Sequence, residues 1–188
     1  MMKIVMSQRE IDHLENYLSQ ADSYFEFGMG GSTCLAAKLV RYRVAAIDSD
    51  AEWVTGVRTE IGQTDKIVDL RHVDIGQTGG WGTPISRSNQ HLFPSYSKAI
   101  VDTGYSDFDL CFVDGRFRVA CFLQALQFLR KDAIVGMHDY AARPAYHVVE
   151  EFARPISATQ QLKFFVQRPG VDAVKLSRTL EAHRLDWA

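Results

Sequence analysis

Apolar positions change period several times along the chain, and each change marks an element. Ile11, Leu14 and Leu18 recur at helical spacing behind Ser7, which with Glu10 makes a capping box, so the pattern predicts a helix over 7–18. Residues 23–27 are a short strand-like run that stops at Gly28. Ser32 and Thr33 then open a helix whose apolar face is Leu35, Ala36, Leu39 and Val40. Strands are predicted over 44–47, ending in Asp48, and 67–73, ending in Asp74, with a helix over 51–61 between them. Further on, helices over 95–102 and 118–129 alternate with strands over 108–113 and 133–137, which end in Asp114-Gly115 and His138-Asp139. In the second of these helices Phe122, Leu123, Leu126 and Leu129 fit a buried face. A helix over 144–152 and two strand candidates, 161–166 and 173–176, complete the reading.

The segment 76–94 breaks this rhythm. It is rich in Gly, Ser and Pro, carries Trp81 between glycines, and has no clean period. A loop this long within one domain is usually functional or disordered, and a lid is the reading preferred here.

Strand–helix alternation implies a mostly parallel sheet with helices on both faces, the Rossmann-like, doubly wound α/β class with seven strands. Right-handed crossovers bring every strand's carboxyl end to one edge, where ligands of such sheets bind. Asp48, Asp74, Asp114 and Asp139 all fall just after a strand, so four acids are expected along that edge.

Length and composition narrow the field. The 188 residues suit a single domain, 1–188, and 46% hydrophobic with 23% charged residues is ordinary for a globular protein. With 21 basic and 23 acidic residues the net charge is only -2, which argues against a broad nucleic-acid surface. Cys34, Cys111 and Cys121 are odd in number and lack metal-ligand spacing, so they read as reduced core thiols. Polar residues from Ser7 to Glu10 speak against a signal peptide, and no apolar run reaches the roughly 18 residues of a membrane span. The expectation is a cytoplasmic protein with a small-molecule or glycan partner, no nucleic acid and no membrane. Its size leaves a homodimer open.

The candidate chemistry starts at Glu26-Phe27-Gly28-Met29-Gly30-Gly31-Ser32. Gly28 and Gly30 let the backbone turn sharply and come close to a ligand, and the helix that follows offers free N–H groups. The spacing is not the dinucleotide fingerprint, because Thr33 stands at its third glycine. A carboxylate at Glu26 suits a cationic amino group and repels a pyrophosphate. Asp48, about twenty residues on, is placed to accept ribose hydroxyls, or to cap the next helix. Asp74 suits either an adenine amino group or a turn. Trp81 suits stacking on a ligand, or a plug for the top of the sheet.

These motifs resemble those of class I S-adenosylmethionine-dependent methyltransferases. Glu26 to Thr33 is similar to their first motif and Ala46-Ile47-Asp48 to the acidic end of their second strand. Phe112-Val113-Asp114-Gly115 and Ala133 to Tyr140 resemble the small O-methyltransferases of sugars and natural products. The resemblance spans 23–152. It implies S-adenosyl-L-methionine as cofactor, bound by Glu26, Gly28, Gly30, Gly31, Ser32, Thr33, Asp48, Ser49, Asp74 and Asp114.

In metal-dependent members the corresponding acids hold Mg²⁺, which would make Asp114 and Asp139 its ligands here. Two departures stand out: Arg116 occupies a position where a second acid is common, and His138 replaces one of the paired acids. The catalytic candidates are therefore His138, Asp114 and Arg116. His138 suits a general base, or a turn residue bonded to backbone. Arg116 and Arg118 suit an anionic substrate, although Arg116 also suits a pairing with Asp114 or Asp139. With Trp81, Arg118 completes the expected substrate contacts. A non-catalytic cofactor-binding module is the alternative function. A nicotinamide oxidoreductase fits poorly, because the third glycine is missing.

Overall fold

Ser7 caps the first helix, α1 (Gln8–Leu18), through the expected reciprocal box: Glu10 N–H donates to Ser7 Oγ at 3.3 Å and Ser7 N–H donates to Glu10 Oε2 at 2.9 Å. The computed structural model describes residues 2–187. After α1 the chain alternates as predicted through β1 (Ser23–Phe27), α2 (Gly31–Leu39), β2 (Arg43–Asp48), α3 (Ala51–Ile61) and β3 (Ile67–His72). Past the long loop it runs through α4 (Pro94–Asp102), β4 (Leu110–Val113), α5 (Arg118–Phe128) and β5 (Ile134–Met137), ending in β6 (Ala153–Thr159), β7 (Leu162–Gln167) and α6 (Ala173–His183).

The strands form a seven-stranded sheet in the order β3-β2-β1-β4-β5-β7-β6. β1 through β5 pair in parallel, whereas β7 runs antiparallel to both β5 and β6. The central strands β1 and β4 are buried along their whole length, as strands covered on both faces must be. The two faces separate by the two-residue strand period. Phe25, Phe27, Cys111 and Val113 pack with the buried sides of α4, α5 and α6. Tyr24, Val44 and Phe112 face the other way, against α1 and α2. From β1 the chain winds outward through β2 to β3, then returns to β4 on the other side. The crevice beyond β1 and β4 is therefore the topological switch point.

The C-terminal third departs from the sequence expectation in three ways. Residues 173–176 are not a strand; they open α6, where Asp172 Oδ1 accepts from Val174 and Lys175 N–H at 2.9 and 3.1 Å. Leu176 and Leu180, four apart, bury its inner face, a helical period that four residues alone did not reveal. The seventh strand is instead β6, an edge strand whose exposed residues include Arg154, Ile156 and Pro155, the last at a register shift. Edges tolerate such sequences, and that conceals them from apolar patterning. Finally, 144–152 is a 3₁₀ helix (Pro144–Glu151) and not an α-helix, and the buried Tyr146, Val149 and Phe152 recur every three residues, the 3₁₀ period.

Candidate active site

The glycine turn follows β1, and its backbone nearly touches the turn after β4. Gly28 adopts φ +90, a left-handed conformation natural to glycine. A Cβ there would collide with the backbone of Gly115, and one on Gly115 would lie 2.8 Å from Gly28 Cα. Close packing of these two turns sets the floor of a cavity of about 380 Å³ at the switch point. Gly28, Gly30, Gly31, Ser32, Asp48, Trp81 and Asp114 all line it. That volume lies within the range of roughly 300–1,000 Å³ usual for small-molecule sites.

Helix α2 starts at Gly31, so its positive N-terminal end meets the cavity. Asp48 projects from the end of β2, its Oδ1 accepting from Asp50 N–H at 3.0 Å. Burial raises the Asp48 carboxyl to about 6, only partly offset by backbone N–H groups and by Arg116. Ser49 lies just outside the lining, and its hydroxyl donates to Gly82 O at 3.1 Å, which ties the long loop to β2. The loop thereby covers the cavity, with Trp81 at its tip 78% exposed and in the left-handed region at φ 62.

Glu26 sits elsewhere than the sequence suggested. It shares the strand face of Tyr24, fully buried under α2, and does not line the cavity. Ser32 Oγ donates to its Oε1 at 2.5 Å and Thr33 Oγ1 to its Oε2 at 2.6 Å. Burial pushes its carboxyl up to about 8 despite those two bonds. Glu26 thus fastens α2 to the sheet, with no open side toward a ligand's amino group. Thr33, also fully buried, completes the lock by accepting from Gly30 N–H at 2.9 Å. Asp74 is likewise removed from the cofactor: it is exposed and accepts from Gly76 N–H at 2.8 Å, which makes it a turn cap.

Two cavity walls were not legible from motifs. Trp53, on α3, donates its indole N–H to Met29 O at 2.6 Å and lines the cavity beside the glycine turn. Residues 2–6 form the opposite wall. A Cβ on Gly31 would meet Lys3 O at 2.7 Å, so that segment packs directly on the turn. Neither carries a local signature beyond an exposed tryptophan on a helix and a glycine-adjacent apolar terminus.

Next to Asp114 lies a compact charged cluster. His138 Nδ1 is 3.1 Å from Asp114 Oδ1 and 3.6 Å from Asp139 Oδ1, while its Nε2 is 3.6 Å from Glu10 Oε1. Burial alone would pull the imidazole down, but the bond to Asp114 and the three carboxylates outweigh it and raise its pKa above 6.5. The sequence left the partner of Arg116 open. The structure gives both acids to Arg118 instead, at 3.2 Å to Asp114 Oδ1 and 3.1 Å to Asp139 Oδ2. Arg118 is only 4% exposed and bonded to the backbone on three sides, so it does not reach a substrate as expected. Arg116 is half-buried against the loop, its Nη1 3.4 Å from Thr83 Oγ1.

The residues present fit a nucleoside cofactor: two turns in backbone contact, a helix N-terminus and a ribose-height carboxylate share one cavity. They do not fit a divalent metal in the same way. Asp114, His138 and Asp139 bring potential ligand atoms within 4.8 Å of one another, but the Arg118 guanidinium already lies on both carboxylates.

No protein-family model matches the chain, and no curated protein matches it. Among solved structures it is similar to a methyltransferase-like protein from Silicibacter pomeroyi, with 29% identity, 98% of both chains covered and a TM-score of 0.88. It also resembles an O-methyltransferase from Bacillus cereus in complex with SAH (14% identity, 86% and 82% covered, TM-score 0.57). A third likeness is to an RNA methyltransferase from Salinibacter ruber in complex with S-adenosyl-L-homocysteine (16% identity, 90% and 97% covered, TM-score 0.54). These last two concern the fold alone. Among the described residues no helix is long and apolar enough to cross a membrane. By its fold, then, the chain is similar to a methyltransferase-like protein and, more distantly, to methyltransferases solved with S-adenosylhomocysteine.

Proposed function

We propose that the chain binds S-adenosyl-L-methionine in the cavity under Trp81 and transfers its methyl group to an oxygen of a small molecule or glycan. The observation that carries this reading is the position of Asp48. Its carboxylate stands in the same cavity as the glycine turn and one strand over from it, where it can accept ribose hydroxyls. Trp53 and Trp81 supply flat apolar surface for the base.

The cofactor supplies an activated methyl on a sulfonium, and the chain's part is alignment and control of the acceptor's proton. Asp114 is the acid of the charged cluster that lines the cavity, so it is the group placed to meet an acceptor hydroxyl. His138 stands behind it with Nδ1 bonded to Asp114 and Nε2 3.6 Å from Glu10 Oε1, so it positions Asp114. Arg116, at the edge beneath the loop, is the remaining cation for an anionic part of the acceptor. The near-neutral charge of -2 favours a small acceptor over a polynucleotide.

Calorimetry with S-adenosylhomocysteine tests the binding half: a one-to-one complex weakened in Asp48→Asn supports it, and no heat at millimolar ligand overturns it. Transfer of a labelled methyl group to small-molecule or glycan fractions tests the other half. The burial of His138, bonded through Nδ1 to Asp114, favours one further reading, a binding module without turnover. Tight cofactor binding with no labelled product from any fraction would select it.

A further inference from the structure

We infer that Arg118 is the resident cation of the acid cluster, that it makes the cluster blind to divalent metals, and that removing its charge opens a metal site at Asp114, His138 and Asp139. Three acids, Glu10, Asp114 and Asp139, face the ring of His138 within 3.6 Å, and two of them are further joined by one guanidinium. Asp114 Oδ1 takes Arg118 Nη2 at 3.2 Å and Asp139 Oδ2 takes Nη1 at 3.1 Å.

The guanidinium is not free to leave. Nε donates to Gly115 O at 2.9 Å, Nη1 to His138 O at 2.7 Å and Nη2 to Asp114 O at 3.1 Å. Withdrawing it would orphan three backbone carbonyls where the side chain is 4% exposed, and would leave Asp114 with His138 alone and Asp139 with His138 and the more exposed Arg143, 3.5 Å from its Oδ2. Its anchor is equally fixed, because Arg118 opens α5 and the next residues, Val119, Ala120 and Cys121, are all core.

Arg118 keeps its charge at any working pH. A divalent ion binding both acids would sit about 2 Å from carboxylate oxygens that already accept from Arg118, so it would face a fixed positive charge within a few ångströms. The donor set itself suits a metal: two carboxylates and an imidazole whose ligand atoms lie within 4.8 Å of one another. Charge, and not missing ligands, is what excludes the ion. The inference concerns the chain's own residues and stands whether or not the chain transfers a methyl group.

Titration of Mn²⁺, followed by the loss of the free-ion paramagnetic resonance signal, tests it on five proteins: wild type, Asp114→Asn, Arg118→Gln, Arg118→Lys and the double variant Arg118→Gln/Asp114→Asn. Gln keeps donors for the carbonyls without the charge, and Lys keeps the charge. The expected result is no specific uptake by wild type or Arg118→Lys, with one Mn²⁺ per chain in Arg118→Gln, at least about 10-fold tighter than wild type. The double variant should lose that ion, and Mn²⁺ should raise the melting temperature of Arg118→Gln alone. Uptake of one Mn²⁺ by wild type that Asp114→Asn abolishes would overturn the inference, and so would a folded Arg118→Gln that takes up none. If Arg118→Gln does not fold, the wild-type titration decides by itself: absence of uptake supports the inference and Asp114-dependent uptake refutes it.

Discussion

Glu10 Oε1, on the first helix, lies 3.6 Å from His138 Nε2 at the carboxyl end of β5, although 127 residues separate the two in sequence. The same oxygen accepts from Gln161 N–H at 2.8 Å, while Oε2 closes the capping box of α1. A residue that the sequence shows as a helix cap is therefore also the post that holds α1 against the charged cluster.

This pair predicts a pH-dependent coupling. His138 titrates above its ordinary 6.5, so its contribution to stability is fully present below 6.5 and is lost as pH rises through the raised value. Glu10 is also buried, which alone would raise it. Bonds from Ser7 and Gln161 nevertheless hold it below its ordinary 4.5, so its contribution is lost only as pH falls through that lowered value. A double-mutant cycle of Glu10→Gln and His138→Gln should give a coupling of about 0.5–3 kcal/mol at pH between 4.5 and 6.5. Denaturant melts repeated at alkaline pH should show that coupling disappear. A coupling that does not change with pH would contradict an ion pair here.

Glu26 predicts a slope of the same sign as His138, beginning at lower pH. Its folded value of about 8 exceeds its ordinary 4.5, so the unfolded chain releases the proton first and stability is lost as pH rises from 4.5 to about 8. Glu26→Gln keeps a group for Ser32 and Thr33 to bond but cannot ionise. Its denaturation midpoint should therefore fall less than that of the wild type across this window. Equal slopes would show that burial does not hold the carboxyl neutral.

Asp48 makes cofactor affinity pH-dependent. Free of ligand it titrates near 6, and only the carboxylate accepts well from two ribose hydroxyls. S-adenosylhomocysteine should bind more weakly as pH falls below about 6, and Asp48→Asn should both weaken binding by roughly 1–2 kcal/mol and flatten this dependence. Calorimetry at several pH values reads both effects.

Trp81 separates stacking from backbone strain. Trp81→Ala and Trp81→Gly both remove the ring, and each should weaken S-adenosylhomocysteine binding by about 0.5–1.5 kcal/mol. Only glycine relieves φ 62, so Trp81→Gly should melt no lower than Trp81→Ala. Unchanged affinity in both would remove Trp81 from the site.

Gly28 is the turn's least replaceable residue. Gly28→Ala places a methyl group into the Gly115 backbone at a φ of +90, and should cost at least about 3 kcal/mol in chemical denaturation. Gly30→Ala meets only Trp53, at 3.8 Å, and should be far milder.

The parallel half of the sheet was legible because its signals are local. Buried strands such as 110–113 are continuous apolar runs, and Asp48, Asp114 and Asp139 stand at or just past strand ends, so their common edge follows from crossover handedness alone. The antiparallel edge was not legible, since β6 mixes polar and apolar residues without clean alternation, carries Pro155 and is held by β7 and not by its own pattern. Nor was the 3₁₀ period of 144–151 distinguishable from an α-helix in so short a segment.

The sequence by itself determined the order of elements, the glycine turn, and the carboxylates that follow the strands. Each of these depends on residues within one turn or one strand of each other. Only the tertiary structure decided which way the functional side chains face. Strand alternation sets Glu26 on the face opposite Phe25 and Phe27, but the packing of α2 makes that face the buried one and turns a presumed ligand contact into a lock. Likewise Arg116 and Arg118 are equivalent as letters two residues apart. The left-handed turn at Phe117 and the first turn of α5 send Arg118 inward onto Asp114 and Asp139 and leave Arg116 beneath the loop. Such choices rest on contacts between distant segments, which no local period encodes.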